Sequence, residues 1–283
     1  MRVAPPRFTS AATGAPKPAP GSPGADAHRQ TRFVLGDDVD AVLGGLGLES
    51  VAAEASGGAK FRKQPTAAAL VLWSRSWLAR LEALHATQVG NYVAALPLVR
   101  AAADYTAAEL AMLDSEAAEW VEWIEGGGVS AAHDVHATEF RLHAFRSAET
   151  LARYADLGRV YRESSDLSMP HFGATLLVTA NESTPERVLV AFGERDFHLG
   201  MAELVLGWLL TLGVESLAAV GRAGPQLAPV DPGTAADWTA QARRLLDRRD
   251  RCRIEEVEFE GATRQVVTGW RKRDGDAARR ILL

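Results

Sequence analysis

At 283 residues with 47% hydrophobic side chains, the chain carries enough apolar material for one large core or two modest ones, which excludes a wholly disordered protein. A single cysteine, Cys252, excludes an intramolecular disulfide framework and a cysteine-based zinc site, and points to a reducing, cytoplasmic setting. The net charge of -5 is unevenly spread: from Gln241 onward 12 Arg or Lys face 8 Asp or Glu, so the C-terminal end is the basic end.

From Met1 to about Arg29 the chain is Ala, Pro, Gly and Ser with almost no large apolar residue, and residues 1–30 are expected to form a disordered tail. A short helix is predicted over Asp37 to Leu48, ended by glycines, before a loose loop at Ser56, Gly57 and Gly58. Pro65 suits a first helical turn, and Leu70, Trp73, Trp77, Leu81 and Leu84 then recur at three- and four-residue steps as a core stripe. After a break at Gly90 comes a helix whose Pro97 should kink it. A shorter helix follows from Ser115 to Glu125, bearing Trp120 and Trp123 and ended by Gly126, Gly127 and Gly128. Helix is then expected from His136 to Leu167, with a break near Asp156 and a stop at Pro170.

Between Ala174 and Phe192 the period changes, and Leu176–Val178 and Val188–Val190 read as a buried β-hairpin. A long apolar helix runs from Asp196 to Val220; its uncharged run, Leu204 to Val214, is about half of what spans a bilayer, so no membrane span is expected. Gly221, Gly224, Pro225 and Pro232 mark a linker, a basic helix covers Ala235 to Arg249, and Val257 and Phe259 face Val266 and Trp270 in a second hairpin turning at Gly261. The fold class is therefore mainly α: a helical bundle with an inserted β-hairpin and a small C-terminal helix plus hairpin. The expected core domain is 31–222 and the basic appendage 223–283.

Two charges stand inside apolar stripes. Arg100 shares the stripe of Val89, Tyr92, Val93, Leu96, Val99, Ala103, Ala107 and Leu110, and Glu203 is the only charge between Leu199 and Val214. Both are expected to be buried, and because a buried charge needs a partner they are expected to pair directly or through Asp104. Gly200 and Gly207 share the face of Glu203 and would let a neighbouring element approach closely.

Two further constellations are chemically suggestive. His136, Glu139 and His143, with His133 upstream, would share a helix face and could hold a divalent metal, although Phe140 and Tyr154 on the same stripe suit a half-buried helix edge better, so neither metal nor cofactor is assigned. The junction of Asp166, Ser168, Pro170, His171, Phe172 and Gly173 with Arg195, Asp196 and His198 brings helix ends together. A pocket of Arg100, Asp104, His171, Arg195, His198 and Glu203 would attract anions to the start of the long helix; alternatively Asp196 caps that helix and the histidines are structural. Arg243, Arg244, Arg248 and Arg249 could contact nucleic-acid phosphates, or form a solvated face with pairs such as Arg243 to Asp247.

Arg80 with His85, the inward Arg100 followed by Asp104 or Glu109, and the Pro170–His171 helix exit before another apolar helix resemble, over residues 65 to 220, prokaryotic proteins of the HEPN-like class. That class consists of helical bundles, and its active members resemble RNases with an arginine followed by a histidine after four to six residues. Leu81 stands where active members carry a polar residue, so the resemblance implies the helical fold and dimerisation more than RNA cleavage. The expected function is a non-enzymatic interaction or regulatory module with a protein partner or in a homo-oligomer. The alternatives are a HEPN-like RNase or other phosphodiester hydrolase, and a metal or small-ligand binding bundle.

Overall fold

The structure is a computed structural model and describes residues 6–56, 64–113, 128–131, 138–141, 147–179, 183, 186–223 and 230–283. It is mainly helical, with a small C-terminal antiparallel sheet. In chain order the helices are α1 (Ala25–Val34), α2 (Gly36–Ala55), α3 (Gln64–Gln88), α4 (Tyr92–Leu113), α5 (Ala148–Arg153), α6 (Ala155–Ser168), α7 (Phe172–Thr179), α8 (Leu199–Arg222) and α9 (Pro232–Leu246). Strands β1 (Gly128–Ala131) and β2 (Thr138–Arg141) form one hairpin, and β3 (Arg253–Phe259), β4 (Ala262–Trp270) and β5 (Arg279–Leu282) form a sheet in that order.

Helix α8 is the axis of the molecule. Its side chains are buried on every face from Leu199 to Gly213, as expected of a helix apolar all round, and α2, α3, α4, α6, α9 and the sheet pack about it. It is long and apolar enough to cross a membrane by length and composition, with 78% of the relevant window buried inside the fold. Its N-terminus is tied to the sheet, where the Leu199 and Gly200 amides donate to the Lys272 and Arg271 carbonyls. Between α3 and α4, Gly90 takes a left-handed φ of 72°, and a Cβ there would stand 2.6 Å from the Arg195 carbonyl oxygen.

Several sequence expectations are corrected. The tail expected over residues 1–30 is replaced from Ala25 by α1, and the segment before it is held on α3: the Ala15 amide donates to Gln88 Oε1 at 2.7 Å and the Thr13 carbonyl bonds His85 Nε2 at 2.8 Å. The glycines expected to end a helix near Leu48 lie inside α2, because Gly44 and Gly45 accept the Trp238 ring; a Cβ on Gly45 would be 2.4 Å from it. Trp238 Nε1 also donates to the Ala41 carbonyl at 2.8 Å, so α9 packs into the main core, as do Val267 and Trp270 of β4.

The hairpin expected across Leu176–Val190 is not formed, since Leu176 to Val178 lie in α7; the inserted hairpin is β1–β2, with Val129 opposite Phe140 and Ser130 opposite Glu139. Of the helix expected from His136, Thr138–Arg141 form β2 instead, and helix is found from α5 onward. The helix expected over Ser115–Glu125 lies outside the described residues. The C-terminal turn at Gly261 is correct, with Glu260 and Gly261 both at positive φ. Its register sets Glu255 against Val266 and Val257 against Arg264, and a third strand, β5, joins β4. Ile254, Val267 and Ile281 form a cross-strand row packed on the core.

Candidate functional site

Glu203 is fully buried, as expected, but its partners are not on α4. The turn after α9 folds the basic segment back onto α8, placing Arg251 against Gly207, where a Cβ would stand 3.2 Å from the guanidinium Nε. Arg251 donates to the Glu203 carbonyl at 2.7 Å and to the carboxylate of the equally buried Asp38. Arg248 bridges Asp38 and Glu203, each at 3.2 Å; Arg271 reaches Glu203 at 3.6 Å; and the Cys252 amide donates to Glu203 Oε2 at 3.0 Å. Burial raises the Glu203 carboxyl's pKa, opposed by the Cys252 amide and the three arginines. Burial and the Glu203 charge raise the Cys252 thiol's pKa, which keeps it an inert buried thiol.

A second network lies under α2, α3 and α4. Arg80, 1% exposed, makes a two-pronged contact with buried Glu49 at 2.6 and 2.5 Å, and Glu49 also accepts from Trp73 Nε1 at 2.6 Å and Ser216 at 3.0 Å. Glu109 is fully buried nearby with neither carboxylate oxygen hydrogen-bonded among the described residues. Burial and then the Glu49 charge push its pKa well above the ordinary carboxyl value, against the pull of Arg80.

The six residues expected to share a pocket are dispersed. Arg100 is half-buried and donates to Ser165 at 3.1 Å and Tyr161 at 3.2 Å, while Asp104 accepts from Ser147 at 2.8 Å. Tyr161 and Ser165 lie on α6, so Arg100 anchors α6 to α4 and does not reach Glu203. His198 is buried at the N-cap of α8, its Nδ1 accepting from the Met201 amide at 3.2 Å and its ring 4.3 Å from that of Trp270. Burial, then Lys272, lowers its pKa to about 4, so it is neutral and structural. Arg195 and Asp196 are exposed before α8, so His198 takes the cap that Asp196 was expected to supply. His171 is exposed and lines a different cavity from Glu203.

Two cavities matter. Glu203 floors a polar recess of about 370 Å³ walled by Asp156, Arg159, Glu215, Arg243 and Arg253. His171 lies on a larger cleft of about 640 Å³ between α7 and the sheet, with Leu176, Leu177, Trp270, Ile281 and Leu282 among its walls. Around α7 the chain exposes Met169 before the helix, Phe172 at 79% at its start and, after it, Val188, Val190 and Phe192 at 99%. The latter segment is tied to α7 by the Ala191 amide on the Thr179 carbonyl.

Arg80 and His85 have separate partners: Arg80 is locked to Glu49, and His85 turns to Thr13 and Glu82. Of the histidine group, His133, His136 and His143 lie outside the described residues and Glu139 is in β2; among the described residues no three His, Cys, Asp or Glu side chains converge to hold a metal. Asp38, Glu49, Arg80, Arg251 and Arg271 were missed as buried charges. Glu49 and Arg80 carried the same signal as Arg100, a charge in step with Val42 and Leu46 or with Trp73 and Trp77. Compared with protein-family models, curated proteins and solved structures, this chain finds no match.

Proposed function

We propose that this chain is a non-enzymatic binding module whose working surface is the apolar cleft between α7 and the sheet. The observation that carries this is a cleft of about 640 Å³ with Leu176, Leu177, Trp270, Ile281 and Leu282 in its walls, on a chain that also exposes Met169, Phe172, Val190 and Phe192 in the segments before, in and after α7. A concave site with largely apolar walls marks a place where ligands or partners are captured. The buried ionisable groups Asp38, Glu49, Glu203, Arg80 and Arg251 are engaged with one another away from the cleft, whose polar lining includes Asp166, His171, Ser183 and the arginines Arg264 and Arg279 among apolar walls.

Titration with the apolar fluorophore 1-anilinonaphthalene-8-sulfonate, followed by methyl NMR, tests this. Saturable one-to-one binding is expected, with shifts confined to Leu176, Leu177, Ile281 and Leu282. The half-buried Leu176→Asp variant should abolish it while keeping the cooperative unfolding transition. Absent binding, or shifts spread evenly over the molecule, would overturn the proposal.

A further inference from the structure

The pleat of the C-terminal sheet sets one arginine on the apolar wall of the cleft. Paired residues of an antiparallel ladder project their side chains to the same face, and residues two apart on a strand share that face. Val267 pairs with Ile281 and Trp270 with Arg279, so these four stand on the face that packs on the core and lines the cleft. A bulge makes this possible: Thr268 and Gly269 together oppose Arg280, with Gly269 at a left-handed φ of 72°, which returns Trp270 to the face of Val267. Arg264 also lines the cleft, but alternation from Val267 sets it on the opposite pleat, together with Arg280.

Arg279 is exposed, and no carboxylate lies within ion-pair distance of its guanidinium among the described residues. Its surroundings are apolar. Ile281 and Leu283 continue the same face beyond it, the latter held on β4 by its amide donating to the Gln265 carbonyl at 2.8 Å. The half-buried Leu176 and Leu177 line the α7 side. Among the described residues the one acidic side chain in the lining is Asp166, in the last turn of α6.

A guanidinium recognises a carboxylate through two parallel hydrogen bonds, because its planar fork matches the two oxygens. One positive charge suits one negative charge. A phosphate dianion would keep uncompensated charge against apolar walls, and Asp166 would add to the repulsion. The volume of about 640 Å³ lies in the range of small-ligand sites and limits the body that accompanies the charge. We infer that the cleft binds a small amphipathic monocarboxylate, its carboxylate on Arg279 and its hydrocarbon body between Leu176 and Leu177 on one side and Ile281 and Leu283 on the other. The assignment rests on the cleft being the working surface and adds the charge that its ligand carries.

Titration of the full chain with octanoate and with 1-octanol, which share a hydrocarbon chain and differ in charge, separates the two claims. Octanoate should bind the wild type roughly 10-fold more tightly than 1-octanol at about 20 mM salt, and the advantage should shrink toward about 500 mM. Arg279→Gln should bring octanoate down to the affinity of 1-octanol, and Arg279→Lys should recover part of the difference. Arg280→Gln, on the other pleat, should leave the preference intact. Both arginines are exposed, so the unfolding transitions should match the wild type's. Leu176→Asp should abolish binding of both ligands, which locates them in the cleft. The Arg279 Nε–H resonance should shift with octanoate and stay in place with 1-octanol. Equal wild-type affinity for the two ligands, or Arg279→Gln without effect on their ratio, overturns the assignment and leaves the cleft standing. Absence of binding by either ligand and by the fluorophore overturns both.

Discussion

The two buried charge networks solve the same problem in opposite ways. Around Glu203 and Asp38 three arginines face two buried carboxylates, with the exposed Asp250 at the rim, and one of the arginines, Arg248, keeps about a third of its side chain in water. Around Arg80 the carboxylates are in excess: Glu49 and Glu109 face a single guanidinium, all three are sealed from solvent, and Glu109 has no hydrogen-bond partner among the described residues. The first network fastens the C-terminal segment onto α2 and α8 and can shed or regain a partner at its wet edge. The second has no such outlet. Buried ion pairs are strongly destabilising when one partner is removed, and the penalty grows as water is excluded.

The largest effect should therefore follow from Arg80→Met. It leaves Glu49 buried with Trp73 and Ser216 as its remaining donors among the described residues and removes the cation that draws Glu109's pKa down. A loss of about 3–5 kcal/mol is expected from urea unfolding, largely recovered when Glu49→Gln is added. A loss below about 1 kcal/mol would show that water reaches this network and erase the contrast.

Glu203→Ala should cost less, about 2 kcal/mol, because its arginines retain other acceptors: Arg251 keeps Asp38 and the Leu245 carbonyl, and Arg271 keeps the Asp250 carbonyl. The damage should also be local. Hydrogen exchange at the Cys252 amide and along β4 should accelerate before α3 and α4 respond, and uniform acceleration would mean that the two networks act as one unit.

The same contrast explains what the sequence revealed. The burial of Glu203 was legible because an uninterrupted apolar run left it nowhere else to go. Its partners were not, because Arg248 lies 45 residues away and the Asp38–Arg251 contact spans 213, so no local period links them. Arg100 was misjudged for a related reason: the stripe was right, but a long side chain at its margin reaches Tyr161 and Ser165 at the surface of α6. The glycines of α2 looked like terminators because Trp238, which fills the space they leave, comes 197 residues after the carbonyl it bonds. Leu176–Val178 went to helix because a short apolar run fits either period and only its packing decides. The cleft was half visible, through Asp166, His171 and Gly173; its opposite wall, Trp270, Ile281 and Leu282, required knowing that β5 pairs with β4.

The sharpest test of the dry network concerns Glu109, whose effect is smallest just above the ordinary carboxyl pKa and is read as a slope. Its pKa is raised in the folded protein by burial and by the Glu49 charge, so the folded state holds a proton there that the unfolded chain releases near the ordinary carboxyl value. A group with a raised folded pKa contributes stability that is complete below its unfolded pKa and is lost as pH rises toward the folded one. Wild-type stability should thus fall with increasing pH above about 4.5, by no more than about 1.4 kcal/mol per pH unit from this one group. Glu109→Gln keeps the shape and removes the titration, so its stability should change less with pH over the same window and the gap between the two proteins should shift in the variant's favour as pH rises. The comparison is of slopes, because the amide brings its own unsatisfied polar groups and so offsets the absolute values. Parallel curves from pH 5 to 8 would mean that Glu109 is ionised and solvated in the folded protein, and that the network around Arg80 has an outlet after all.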